Sequence, residues 1–205
     1  MPRQTKIDAT LGPASSTSEM LERLITAGVD VVRLNFSHGT AQDHIERAAM
    51  VRTAAEKVGR AVAIMADLQG PKIRVGKFEG DKTLLTAGQK FILDGARVEP
   101  GDNAAVGLDY KELPRDVKPG DTLLLNDGLL VLIVEDVRGD QVHTTVKVGG
   151  VLSNNKGINK QGGGLTAPAL TGKDMEDIKT AMSFQCEYLA VSFPKSATDM
   201  EMARR

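Results

Sequence analysis

The apolar positions near the start of the chain form short continuous runs, and helical patterns separate these runs. The runs at residues 29–34 and 61–65 predict buried strands. The segments before and between them carry apolar residues at the spacing of amphipathic helices, so residues 5–68 predict strand, helix, strand, helix and strand. Because parallel strands need crossover connections, this alternation favours a βα barrel or an open α/β sheet.

The boundaries of the first two helices carry sequence signals. Ser16 and Glu19 have the spacing of a capping box, and Gly28 is placed to end the first helix. The second helix is predicted to begin at Thr40 and to end at Gly59.

From about residue 72 to residue 160 the pattern changes to short β runs punctuated by tight turns. Residues 123–125, 129–134 and 142–148 predict strands, and turn signals such as Asn126-Asp127-Gly128 lie between them. This segment predicts a small all-β unit inserted into an α/β chain, with the three glycines at 162–164 as the return hinge.

The α/β pattern then resumes. Thr171 is predicted to cap a helix over residues 173–184, residues 188–192 predict the next strand, and Ser196 opens a last helix.

Composition narrows the class of protein. The 205 residues include 26 basic and 27 acidic side chains, so the net charge of -1 gives no electrostatic case for nucleic acid or an anionic membrane. Cys186 is the single cysteine, which excludes an internal disulfide. No run approaches the roughly 20 apolar residues that a bilayer requires, and a cytoplasmic protein is expected.

Polar side chains follow the apolar run at 29–34, and the carboxyl ends of parallel strands are where α/β folds bind ligands. Arg33, Asn35 and Ser37 are predicted to share one face, because side chains alternate along a strand. A guanidinium presents paired donors that suit a phosphate or a carboxylate. A solvated arginine in a polar loop is the alternative.

Two further segments carry charged groups. Asp67 closes the run at 61–65, where a carboxylate needs a cation, although Gly70-Pro71 also makes a simple turn residue plausible. Lys156 stands beside Gly157, which lets a backbone approach a ligand, and a lysine point charge suits a polyphosphate. A solvated loop lysine is the alternative for Lys156.

Taken together, the segments at 33–39, 67–74 and 154–159, preceded by Thr10-Leu11-Gly12-Pro13, resemble the pyruvate kinase family in the right order. The resemblance implies a partial TIM (β/α)8 barrel interrupted by an inserted small all-β barrel, the lid domain. It implies domain limits of 1–71 for the first barrel part, 72–164 for the lid and 165–205 for the return to the barrel. It also places the magnesium ligands and the catalytic lysine on later strands, so an N-terminal fragment, inactive alone, is expected.

The resemblance also assigns roles to residues. Arg33 is expected to bind the phosphate of phosphoenolpyruvate. The positions matched to nucleotide binding are Asn35, Phe36, Ser37, His38, Arg74 and Lys156. The positions matched to the monovalent-cation site are Asn35, Ser37, Asp67 and Leu68. His38 is not expected to transfer protons.

Two departures from the family pattern stand out. Leu68, Gln69 and Lys72 replace the threonine, lysine and glutamate of potassium-dependent members, so Lys72 is expected to substitute for potassium. Asp8 stands where the opening strand normally carries an apolar residue.

The implied function is glycolytic phosphoryl transfer from phosphoenolpyruvate to ADP, giving pyruvate and ATP, with Mg2+ as cofactor and a homotetramer as the assembly. The alternative from another class is a non-catalytic module that binds a phosphorylated ligand or a partner protein.

Overall fold

The computed structural model describes residues 4–205 and divides the chain into two compact units. The first unit, here called the α/β unit, comprises the residues up to Gly70 together with Pro168–Arg205. The second, here called the β unit, is Pro71–Ala167. The three glycines at 162–164 lie inside the β unit, so the chain leaves that unit after them rather than at them.

Twelve strands and five α-helices are assigned within residues 4–205. The strands are β1 (Asp8–Thr10), β2 (Val31–Asn35), β3 (Ala63–Asp67), β4 (Lys82–Leu85), β5 (Lys90–Asp94), β6 (Ala105–Gly107), β7 (Thr122–Leu125), β8 (Leu130–Arg138), β9 (Gln141–Val148), β10 (Gly150–Ser153), β11 (Ile158–Lys160) and β12 (Tyr188–Ala190). The helices are α1 (Ser18–Ala27), α2 (Ala41–Val58), α3 (Leu113–Asp116), α4 (Gly172–Ser183) and α5 (Ala197–Arg204). None of the helices in this part of the chain is long and apolar enough to span a membrane.

The α/β unit contains a four-stranded sheet in the order β1-β2-β3-β12, and every neighbouring pair is parallel. This confirms the predicted alternation, because α1 connects β1 to β2 and α2 connects β2 to β3. One face of the sheet is buried, with Val32, Leu34 and Ile64 in a core that also contains Leu21 and Ile25 of α1. The opposite face carries the polar side chains.

Helix ends follow the capping chemistry of the sequence, with one correction. The N-cap of α1 is Thr17, whose hydroxyl accepts the Met20 amide, and not Ser16. Ser16 is unavailable because its hydroxyl donates to the Gly12 carbonyl at 2.6 Å in the preceding turn. Gly28 ends α1 with φ 114°, a left-handed conformation that favours glycine.

The remaining predicted caps agree with the structure. Thr40 and Thr171 begin α2 and α4, and each forms a capping box with the aspartate three residues later. Ser196 does the same for α5, and Gly59 ends α2.

The β unit has its own core. Six strands form a sheet in the order β11-β7-β8-β9-β5-β6, and β4 pairs with β10 in a separate ribbon. The strands predicted at 123–125, 129–134 and 142–148 correspond to β7, β8 and β9, which pair as antiparallel neighbours. Phe91, Leu123 and Leu132 are among the fully buried side chains of this core. The β unit therefore encloses a hydrophobic core separate from that of the α/β unit.

Candidate functional site

The carboxyl ends of β2 and β3 place polar side chains side by side. In the parallel register, Asn35 lies opposite Asp67, and Thr10 of β1 lies opposite Arg33. These residues occupy the sheet face that the helices leave uncovered, since Leu34 and Ala66 between them point into the core. The structure thus brings together Arg33, Asn35 and Asp67 as the sequence predicted.

Arg33 is oriented by two partners. Its Nε donates to Asp67 Oδ2 at 2.8 Å, Nη2 forms an ion pair with the same oxygen, and Nη1 donates to Thr10 Oγ1 at 2.9 Å. A guanidinium has five N–H donors, so these contacts leave one on each terminal nitrogen. The carboxylate of Asp67 is therefore paired with the guanidinium of Arg33, and Arg33 keeps two N–H donors for an anionic ligand.

The turn that follows β2 differs from the prediction. Strand β2 ends at Asn35, so Ser37 does not share a strand face with Arg33 and Asn35, and this prediction was wrong. The physical reason is local: Asn35 Oδ1 accepts the Ser37 amide at 2.9 Å, which folds the chain into a turn. Phe36 is 1% exposed and its amide donates to the Asp67 carbonyl at 2.9 Å, whereas His38 is exposed.

Residues from two helices support this turn. His44 of α2 stacks on Phe36 with ring centroids 4.0 Å apart, and its Nε2 lies 2.9 Å from the His38 carbonyl oxygen. Lys173 of α4 donates from Nζ to the Phe36 carbonyl at 2.9 Å. Burial is the largest cause of the lowered pKa of His44. The sequence contained no signal for the role of Lys173.

The segment after β3 is also held by residues that the sequence reasoning missed. Ser192, which follows β12, donates to the Leu68 carbonyl at 2.6 Å and lies 3.3 Å from Asp67 Oδ1. The fully buried carboxylate of Asp174 accepts the Gly70 amide at 2.9 Å in addition to its capping bonds to Thr171. The capping box identified Asp174 as a cap, and the bond to Gly70 gives it a second role.

The β unit holds the other predicted cations. Arg74 and Gly157 form an antiparallel bridge, and the Val75 amide donates to the Lys156 carbonyl at 2.9 Å. Arg74 and Lys156 therefore lie on adjacent segments of one unit. Asn155, just before Lys156, has a φ of 57°, so the chain turns there and Lys156 is outside any regular strand. Lys72 is exposed in the same unit.

The donor atoms indicate what this site can bind. The oxygens of Asn35, Ser37, Asp67 and the Leu68 carbonyl suit a hard cation, although the leucine side chain supplies no oxygen. No group of three or more His, Cys, Asp or Glu with metal-binding geometry is found among residues 4–205. The Arg33 guanidinium is the group best prepared for an anion.

A parallel sheet with polar groups at its strand ends, interrupted by an inserted all-β unit, is typical of an α/β protein of the barrel type. Comparisons with known proteins identify the family. The family model described as "Pyruvate kinase, barrel domain" matches residues 2–205. The chain therefore belongs to the pyruvate kinase family.

Individual relatives agree with the family match. The chain is 56% identical to a pyruvate kinase of Haemophilus influenzae over 203 residues, covering 98% of this chain and 42% of that protein. It is 56% identical to pyruvate kinase II of Salmonella typhimurium over 204 residues, covering 99% of this chain and 42% of that protein. A crystal structure of a pyruvate kinase from Cryptosporidium parvum superposes with a TM-score of 0.90 at 32% identity, over 98% of this chain and 41% of that one. The chain thus spans about two fifths of the length of these relatives.

Proposed function

We propose that the complete polypeptide that carries this sequence is a pyruvate kinase, which transfers the phosphoryl group of phosphoenolpyruvate to ADP and yields pyruvate and ATP. The observation that carries the proposal is the orientation of Arg33. Asp67 and Thr10 hold three of its N–H donors, and the two remaining donors suit a phosphate. Family membership supplies the reaction class.

The residues of this chain would act mainly by binding and orienting. Arg33 would hold the phosphate of phosphoenolpyruvate and would offset charge that develops on the transferred oxygens. Arg74 and Lys156 would hold the phosphates of the nucleotide, and Phe36 would belong to the same nucleotide-binding set. His38 would lie in the nucleotide neighbourhood without transferring a proton. The β unit, which has its own core, would act as the lid domain.

Members of the pyruvate kinase family depend in general on Mg2+ and K+. We propose that the magnesium ligands and the catalytic lysine lie outside these 205 residues, so that the 205-residue chain alone makes no ATP. Bound Mg2+ supplies positive charge to the phosphoryl oxygens. Asn35, Ser37, Asp67 and the Leu68 carbonyl would form the monovalent-cation site, and Lys72 would make the enzyme independent of potassium. A cytoplasmic homotetramer is the proposed assembly.

The experiment is a substitution at Arg33 in the complete polypeptide. Arg33→Lys keeps the positive charge but removes the fork of donors, so kcat/KM for phosphoenolpyruvate is expected to fall by about 10- to 100-fold. Arg23→Lys, at an exposed position on α1, is the matched control and is expected to leave kcat/KM unchanged. The assay couples pyruvate formation to NADH oxidation after removal of host kinase. If the unsubstituted complete polypeptide forms no pyruvate, or if Arg33→Lys equals the control, the proposal is wrong.

A further inference from the structure

The turn at residues 36–39 is fixed through two of its backbone carbonyl groups, and the two donors come from different helices. Lys173 Nζ lies 2.9 Å from the Phe36 oxygen, and His44 Nε2 lies 2.9 Å from the His38 oxygen. Both distances are within the range of ordinary hydrogen bonds. The donors thus hold the carbonyls on either side of Ser37.

The side chain of His44 contacts the turn in two ways, by stacking and by a hydrogen bond. It is 1% exposed and stacks on Phe36 with an interplanar angle of 15°. A carbonyl oxygen only accepts, so Nε2 carries a proton, and the lowered pKa of the buried ring favours the neutral form, in which Nδ1 is bare. Nδ1 has no hydrogen-bond partner within residues 4–205. The ring therefore acts through its stacking contact and one N–H donor.

The ammonium group of Lys173 is held in place by a second contact. It also forms an ion pair with Asp177 at 2.5 Å, one turn further along α4. Asp177 neutralises the lysine locally and limits the positions that its side chain can adopt. A charge-assisted hydrogen bond to a backbone carbonyl is stronger than a neutral one. Lys173 therefore fixes the Phe36 carbonyl to the first turn of α4.

Glycine completes the turn. Gly39 has a φ of 81°, and a Cβ atom at this position would lie 3.3 Å from Asp43 Oδ2 and 3.7 Å from His44 Nε2. The chain therefore passes close over the start of α2, where only glycine combines this conformation with this proximity.

We propose that Lys173 and His44 are positioning residues that clamp the turn bearing Ser37 and His38, directly after Asn35, in its ligand-binding shape. This inference rests on the proposed function and extends it to residues that do not touch a substrate. Asp67 and Thr10 orient Arg33 independently of this turn. The clamp therefore affects binding of the nucleotide more than binding of the phosphoenolpyruvate phosphate. Loss of the clamp should raise the KM for ADP more than the KM for phosphoenolpyruvate.

The first test measures steady-state kinetics of the complete polypeptide. Lys173→Met, which keeps the length of the side chain but removes its donors, is expected to raise the KM for ADP about tenfold, with the KM for phosphoenolpyruvate within about twofold. Lys173→Arg restores a cationic donor and should return the KM for ADP to within about twofold. Lys179→Met on the same helix is the control, since Lys179 pairs with the exposed Glu176. Equal KM values for ADP in Lys173→Met and Lys179→Met, or no rescue by arginine, would overturn the proposal.

The second test does not depend on catalysis. Amide hydrogen exchange over residues 36–39 is expected to accelerate about tenfold in Lys173→Met and in His44→Phe, and to remain unchanged in Lys179→Met. His44→Phe keeps an aromatic ring against Phe36 and removes only the donor. Unchanged exchange in both variants would exclude the clamp. Should the complete polypeptide lack kinase activity, the proposed function fails, while this exchange experiment still decides whether the clamp exists.

Discussion

The separate core of the β unit predicts that residues 71–167 fold on their own. Leu132 of β8 is fully buried between Leu123 of β7 and Val146 of β9, whereas Leu84 of β4 is 63% exposed. Replacing each leucine by alanine in the isolated segment removes the same atoms, from the buried core in one variant and from the solvent-exposed surface in the other. The pair of variants therefore separates the effect of core packing from that of composition.

The magnitude follows from burial. Truncating leucine to alanine removes about three carbon groups, worth roughly 2.4 kcal/mol at about 0.8 kcal/mol each. The cavity that remains adds to this value, so Leu132→Ala is expected to cost about 3–4 kcal/mol in the free energy of unfolding. Leu84→Ala is expected to cost less than about 0.5 kcal/mol, as at other exposed sites.

The assay is urea denaturation of the isolated segment, followed by circular dichroism and by fluorescence of a dye attached at an introduced surface cysteine. With a slope of about 1–1.5 kcal/mol per molar urea, Leu132→Ala should lower the midpoint by about 2–4 M. Equal midpoints for the two variants would contradict a specifically packed core. A segment that gives no cooperative transition at all would refute the independence of the β unit.

Three further predictions can be measured separately. The complete polypeptide is expected to be active in tetramethylammonium buffer without potassium, and Lys72→Glu is expected to make its rate respond to potassium. Strong potassium activation of the unsubstituted protein would contradict this prediction. Asp116→Ala should destabilise isolated residues 71–167 by about 2–4 kcal/mol, because the carboxylate accepts hydrogen bonds from Tyr110 Oη and from the amide and hydroxyl of Thr166. A loss below about 1 kcal/mol in the free energy of unfolding, measured by urea denaturation, would contradict this prediction. The pKa of His44 is lowered in the fold, so its contribution to stability is present above the ordinary value of about 6.5 and is lost as the pH falls below it. Thermal melts from pH 7.5 to 5.5 should show a smaller loss of stability in His44→Phe than in the unsubstituted protein, and identical pH profiles would exclude this contribution.

The elements that could be predicted from sequence are those with local causes. Thr40 and Asp43 satisfy the backbone donors at the start of α2, and both residues lie within four positions of each other. The gathering of polar side chains at the ends of β2 and β3 was also predictable, because parallel strands align their carboxyl ends. Capping and strand alternation therefore gave the α/β framework and most of the strand-end chemistry.

The wrong predictions have equally local reasons. The side chain of Asn35 competes with the sheet for the Ser37 amide, and this competition ends β2 two residues early. At the start of α1, two neighbouring hydroxyl residues could serve as cap, and the preceding turn engages Ser16. In both cases a side chain bonded to a nearby backbone group in a way that periodicity does not reveal.

The supporting contacts could not be predicted because their partners are far apart in sequence. Lys173 and Phe36 are separated by 137 positions, and Ser192 and Leu68 by 124. Nothing near Lys173 distinguishes it from Lys179, since both lysines lie on α4 close to a carboxylate. Only the packing of α4 beside the ends of β2 and β3 gives Lys173 and Asp174 their partners.

The Arg33–Asp67 pair bears on how a monovalent cation would act at this site. The two charges cancel before any ligand arrives, and among residues 4–205 Asp67 Oδ1 has only the 3.3 Å contact with Ser192. A phosphate that binds the two remaining donors of Arg33 adds negative charge that this neutral pair does not offset. The need for an additional cation therefore arises with the phosphate rather than with the free protein. A potassium ion at the oxygens of Asn35 and Asp67 could meet this need, so the potassium response should be measured with substrates bound.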